Sequence, residues 1–384
     1  MSDGLLNLLS LKENNYIYAD YNATSPISKN VQKHIIDTLY KCILNPSSLH
    51  KKGQEARRIL ENTRDKVRNV LGVSSTQEII FTSGATEANN MVMKGITDHH
   101  QVISAIEHPS ILESADHPHI VPVNHEGVID LLALEKTLIK LTGKKIIVSV
   151  MMANNETGVI QPIGDIVQIS HRFQALCHTD ATQSVGKIKV DMEELGVDLL
   201  TFSSHKFGGI LGTGVLIFNK NIAIKPIIIG GQQERGIRGG TENVIAITGL
   251  STALDDIPEL LSRMHTIKIL RDHLETQVLS YDSKIKIFSK NSKRLPNTSF
   301  IYMPGVKNDI QMMYFDLNNI AVSNGSACSS GKIEASQVLL AMGITHTEAE
   351  CAIRISIGPD TSMQDIKKIE SCWYNLYHKR HVYI

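Results

Sequence analysis

Short apolar runs rich in β-branched residues alternate along the first two thirds of the chain with stretches whose apolar positions recur every three or four residues. Such alternation is what a mainly parallel sheet covered by helices requires, because strands buried on both faces read as continuous apolar segments. Strands are predicted at 78–82, 102–105, 145–152, 197–203 and 214–218, with helices between most of them, including 54–71 and 165–176. In the latter, Ile166, Ile169, Phe173 and Leu176 fall on one helical face. After about residue 250 the pattern changes to a long charged helix, strands at 297–303 and 352–357, and a last helix over 362–377. That change places a large domain over 16–255 and a smaller α+β domain over 256–384, joined by 1–15. No internal repeat or low-complexity linker interrupts the pattern.

Composition narrows the picture without changing it. A chain of 384 residues is long enough for one large α/β domain and a second smaller one. Its 39 basic side chains balance 39 acidic ones, which argues against a dominant nucleic-acid or membrane surface. No apolar run reaches the ~18 residues of a membrane span, and the first residues lack the basic, apolar signature of a targeting peptide. The five cysteines, Cys42, Cys177, Cys328, Cys351 and Cys372, have no Cys-x-x-Cys spacing, so neither a disulfide framework nor a zinc ribbon is expected, and a reducing cytoplasm suits them. His99-His100 and His117-x-His119 have no acid or cysteine spacing to support a metal site, and none is expected.

The candidate chemistry begins at Lys206, in Ser203-Ser204-His205-Lys206 at the end of the 197–203 run, and at Asp180, in His178-Thr179-Asp180-Ala181-Thr182-Gln183. An amine that can hold an aldehyde, and a carboxylate that can keep a ring nitrogen protonated, together suggest a pyridoxal phosphate site. A strand that ends in Thr82-Ser83-Gly84-Ala85-Thr86 before a helix offers free backbone amides to a phosphate. There Gly84 permits a tight turn, Ala85 permits close approach, and the Thr86 hydroxyl can donate. It lacks the lysine of a P-loop. Asn154-Asn155-Glu156-Thr157-Gly158 follows another strand at the sheet edge where open α/β sheets bind ligands, and it is equally a plain turn. His108, in Glu107-His108-Pro109, can stack on an aromatic cofactor or sit in solvent. Cys328 lies among Gly325, Ser326, Ala327, Ser329, Ser330 and Gly331, small residues that suit a thiol moving between two partners. The other four cysteines fall in helical or strand patterns and read as structural.

These motifs resemble the class V, fold type I pyridoxal phosphate enzymes, and within them the cysteine desulfurases of the NifS and IscS type. The resemblance runs nearly the full length. It starts at Tyr18-Ala19-Asp20-Tyr21-Asn22-Ala23-Thr24 and Asn45-Pro46-Ser47-Ser48, passes through Gly231-Gln232-Gln233-Glu234-Arg235-Gly236 and Thr241-Glu242-Asn243, and reaches the Cys328 segment and Arg354-Ile355-Ser356-Ile357-Gly358. It implies that Lys206 is the Schiff-base lysine and acid–base catalyst and that Asp180 holds the pyridinium nitrogen. Gln183 and Asn155 would contact the ring oxygen or the substrate carboxylate. His108 would stack on the ring and carry a proton near the thiol. Ala85, Thr86, Ser203 and His205 would bind the phosphate, joined by Thr241 from the second subunit of a homodimer. Arg354, assisted by Asn22, would grip the carboxylate of L-cysteine. Cys328 would take the sulfur as a persulfide and pass it to an acceptor such as an iron–sulfur scaffold or sulfur carrier, for cluster assembly or tRNA thiolation.

The chain departs from the pattern at three places. It reads Phe207-Gly208-Gly209-Ile210-Leu211-Gly212 where the family usually has a Gly-Pro-Lys stretch, Tyr21 where asparagine is common, and Gly240 where alanine usually precedes Thr241. No long scaffold-docking tail is evident at Tyr383-Ile384. A selenocysteine lyase and a class V aminotransferase are the alternative activities. A sulfur-relay or regulatory partner is a third.

Overall fold

A computed structural model describes residues 16–41, 45–325 and 335–380. The strands are β1 (Ile17–Tyr18), β2 (Gln77–Thr82), β3 (His100–Ser104), β4 (His119–Val121), β5 (Ile146–Ser149), β6 (Leu176–Asp180), β7 (Leu199–Ser203), β8 (Gly214–Asn219), β9 (Lys286–Ile287), β10 (Thr298–Tyr302), β11 (Ile320–Ala321) and β12 (Ala352–Ser356). Seven of them form the principal sheet in the order β2-β8-β7-β6-β5-β3-β4. Only β8 runs against its neighbours, β2 and β7, while the pairings from β7 through β4 are parallel. The carboxyl ends of every other strand therefore meet along one edge, the edge at which open α/β sheets bind ligands.

Alternating side chains of these strands feed two cores. Ile79, Phe81, Leu200, Phe202, Val215 and Ile217 join one. Ile80, Leu199, Leu216 and Phe218 join the other, on the opposite face. Both faces are covered, which explains why the strands read as unbroken apolar runs. A separate core gathers around the antiparallel sheet β12-β10-β9 and the buried Trp373. Ile17 and Ala19, near the start of the described chain, pack in this last core, where β1 pairs with β11. The helix Ile257–Tyr281 bridges the two regions, with Ile257 in the first core and Ile267, Leu270, Leu274 and Val278 in the last.

One predicted element is corrected. The helix expected over 165–176 spans Ile163–Arg172, and Leu176 instead opens β6. Gln174 takes a left-handed φ of 56°, which ends the helical path. Leu176 falls on the helical face only by coincidence of period. The strand it begins carries the buried polar residues His178, Thr179 and Asp180, so it presents no apolar run.

Candidate active site

The carboxyl edge of the sheet opens into a cavity of about 420 Å³. Five of the seven strands deliver different groups to it. β2 leads into Gly84, Ala85 and Thr86, β3 into His108, β5 into Asn155, β6 into Asp180 and Gln183, and β7 into Ser203, His205 and Lys206. Asn22, after β1, and Arg354, on β12, close the side nearest the third core. Gly325 also lines the cavity, whereas Cys328 lies outside the described residues. Thr241 is exposed and stands in a neighbouring cavity of about 150 Å³ that shares Ser83 and Gly212 with the first.

The helix Ala85–Gly95 begins without a side-chain cap, so its first amides are available to an anion. Gly84 precedes it in an extended conformation, and a Cβ there would meet open space. The turn chemistry expected of Gly84 is therefore not required. The constraint falls on Gly214 instead, where a Cβ would lie 2.4 Å from the Gly84 carbonyl carbon and 2.8 Å from the Ala85 nitrogen. Gly214→Ala is expected to destabilise the fold by about 1–3 kcal/mol through overpacking. Gly84→Ala should leave the melting temperature within a degree or two of the parent, so thermal melts of the pair check the assignment.

Asp180 is buried, and both its oxygens are fixed: Asn89 Nδ2 donates to Oδ2 at 2.8 Å and the Thr182 amide to Oδ1 at 2.9 Å. Asn89 is oriented in turn by the Thr201 hydroxyl, which donates to its Oδ1 at 2.6 Å. Lys206 Nζ donates to the carbonyls of Asn22 and Ala23 at 2.8 and 2.7 Å. Burial, with Lys206 and Lys187 nearby, pushes His205 down to about 4, so its imidazole is neutral at pH 7, with Nδ1 3.0 Å from Thr24 Oγ1. His108 Nδ1 accepts the Ser110 amide at 3.1 Å, which leaves the proton of a neutral ring on Nε2. Ser203 Oγ donates to the Thr213 carbonyl at 3.1 Å.

Arg354 is 2% exposed. Its Nη2 donates to Asp20 Oδ1 at 2.6 Å and its Nη1 to the Asn155 carbonyl at 3.0 Å, but its buried Nε has no hydrogen-bond partner among the described residues. The buried Thr182 hydroxyl, also on the cavity wall, is orphaned in the same way. Buried polar atoms without partners cost about 1–3 kcal/mol each, so these two, with the uncapped helix start, fit an oxygen-rich ligand. An amine, a fixed carboxylate and an anion cradle around one cavity match the demands of pyridoxal phosphate.

The aminotransferase class-V family model matches residues 17–369. The chain belongs to the aminotransferase class-V family. Among curated relatives, cysteine desulfurase IscS of Dictyoglomus turgidum is 39% identical, covering 91% of each chain. Cysteine desulfurase NifS of Azotobacter vinelandii is 32% identical, covering 92% of this chain and 90% of that one. The solved NifS-like protein from Rickettsia africae superposes with a TM-score of 0.87 at 38% identity, covering 94% of this chain and 99% of that one.

The class-V site also contains residues that the sequence reading passed over. Lys187 is buried beneath the cavity and donates to Gln183 Oε1 and Asn22 Oδ1, at 2.5 and 2.9 Å. The spacing Gln183-x-x-x-Lys187 was the available signal; the chain turns over 182–187, with Gly186 at a φ of 79°, and brings the pair together. Asp20, which holds Arg354, stands inside a motif already singled out, and Asn89, which holds Asp180, lies in the helix that follows another, but nothing in their order reveals those partners.

Proposed function

We propose that this class-V enzyme is a pyridoxal phosphate-dependent cysteine desulfurase that converts L-cysteine to L-alanine and leaves the sulfur as a persulfide on Cys328. The observation that carries the reading is the convergence of Lys206, Asp180, the uncapped helix start and the partly unpartnered Arg354 around one cavity. The desulfurase names of the relatives choose the reaction among those that such a cavity supports.

Lys206 would anchor the cofactor aldehyde and Asp180 would keep a proton on its ring nitrogen. Gln183 and Asn155 would face the ring oxygen or the substrate carboxylate, with His108 against the ring. Ala85, Thr86, Ser203 and His205 would hold the phosphate. When bound, the cofactor supplies a ring that accepts the electron pair left at the substrate α-carbon. Arg354, assisted by Asn22, binds the carboxylate of L-cysteine. Lys206 takes the α-proton and later returns it. The Cys328 thiolate attacks the substrate sulfur: the S–S bond forms as the C–S bond breaks, and the three-carbon unit keeps the electron pair, is protonated and leaves as alanine. His108 is the candidate proton carrier near that thiol. An acceptor thiol, on an iron–sulfur scaffold or sulfur carrier, then takes the outer sulfur by exchange.

Thr241, exposed and outside the cavity, would serve the phosphate of a second copy in a homodimer. Ile229, 88% exposed, has its backbone beside Gly239 in the same segment and suits burial in such an interface. Cys177, Cys351 and Cys372 are free thiols, in keeping with a reducing cytoplasm. Among the described residues no helix is long and apolar enough to cross a membrane.

Borohydride reduction of the protein loaded with pyridoxal phosphate tests the site. The reduced adduct should map by peptide mass spectrometry to Lys206 alone; mapping to another lysine, or failure to load, contradicts the reading.

A further inference from the structure

Lys187 is a buried amine that the proposed reaction does not use. It is 5% exposed, and both its hydrogen-bond partners are amide oxygens, Gln183 Oε1 at 2.5 Å and Asn22 Oδ1 at 2.9 Å. An amine donates to such oxygens, so the Gln183 atom that faces it must be oxygen, and the Gln183 NH2 must lie on the other side. One of those N–H groups is spent on the Asn22 carbonyl at 2.9 Å. The second remains on a side chain that lines the cavity.

We propose that Lys187 is a positioning residue that locks the Gln183 amide with its NH2 toward the cavity, so that a ring oxygen bound there meets a donor rather than an acceptor. The inference rests on the cofactor reading above. The same amine fixes Asn22 Oδ1, which also accepts from Asn297 Nδ2 at 3.1 Å. Asn22 Nδ2 is thereby turned toward the Asn155 carbonyl and Thr298 Oγ1, at 3.1 and 2.9 Å. The Asn22 carbonyl in turn receives Lys206 Nζ, so one buried lysine orders contacts reaching both Gln183 and the reactive amine. Burial, reinforced by the positive charges of Lys206 and Arg354, holds Lys187 well below the ordinary lysine range. Arg354 carries its own counter-charge, Asp20, at 2.6 Å.

The test uses the full chain loaded with pyridoxal phosphate and follows the pH midpoint of its visible absorption band. A donor on the ring oxygen weakens the hold of that oxygen on the neighbouring imine proton. Losing the donor should therefore raise the midpoint by about one pH unit, a tenfold change in proton affinity. Lys187→Met, which keeps the stem and removes both donors, should show this rise, and Gln183→Met should show it too. The double variant should shift no further than Gln183→Met alone, because residues acting through one contact are not additive. Lys187→Gln, a neutral side chain with N–H donors, should recover part of the shift, which a merely structural role would not produce. An unchanged midpoint in Lys187→Met, or shifts that add in the double variant, overturns the proposal. If Lys187→Met folds poorly, Gln183→Met reads the same contact from the other side, and an unchanged midpoint there overturns it. A parent protein that shows no visible band overturns the cofactor reading and this inference with it, whereas a normal parent band with an unmoved Lys187→Met overturns the inference alone.

Discussion

Lys206→Ala is expected to lower alanine formation from L-cysteine by at least about 10⁴-fold, since positioned acid–base catalysis alone contributes about 10²–10⁴ and covalent anchoring of the cofactor is lost with it. The loss should be chemical rather than structural. Lys206 follows β7 in the short turn Ser204–Lys206, and its Nζ donates to the loop carbonyls of Asn22 and Ala23. Removing two such bonds costs about 1–3 kcal/mol, while β7 stays paired along its length to β8. Steady-state assays beside a thermal melt check this: a lost rate with a retained cooperative transition is expected, and a rate within tenfold of the parent contradicts the assignment.

Arg354→Lys gives the second large effect, and it should appear in KM. The substitution keeps a positive charge for Asp20 but loses the planar fork, including the buried Nε that has no partner among the described residues. A hydrogen bond to a charged group contributes about 1.5–3 kcal/mol, so KM for L-cysteine should rise by about 10–150-fold, with kcat changed far less. Equal losses in kcat and kcat/KM would instead place Arg354 in the transition state.

The parts of the site legible in the sequence are those whose signal is local. Lys206 stood out because β7 is buried on both faces and reads as an apolar run that ends at the reactive segment. The uncapped start of the helix Ala85–Gly95 was visible from the strand and small residues before it. What sequence could not show depends on distant partners. β6 hides because its buried residues are polar and are satisfied across the sheet, as in the contact of His178 Nε2 with Thr201 Oγ1 at 3.2 Å. The glycine constraint moved from Gly84 to Gly214 because the crowding comes from β8 passing the helix start, a contact between residues 130 positions apart. Lys187 reads as an ordinary basic residue until Asn22, far away in sequence, is folded against it.

The central claim is that sulfur leaves L-cysteine through Cys328 in a site built on Lys206. Its most direct test measures alanine and transferable sulfur together, from the loaded parent protein and from Cys328→Ala, with an acceptor thiol present. The account predicts equal amounts of both products from the parent and loss of both in the variant. Undiminished alanine and sulfide from Cys328→Ala would contradict it.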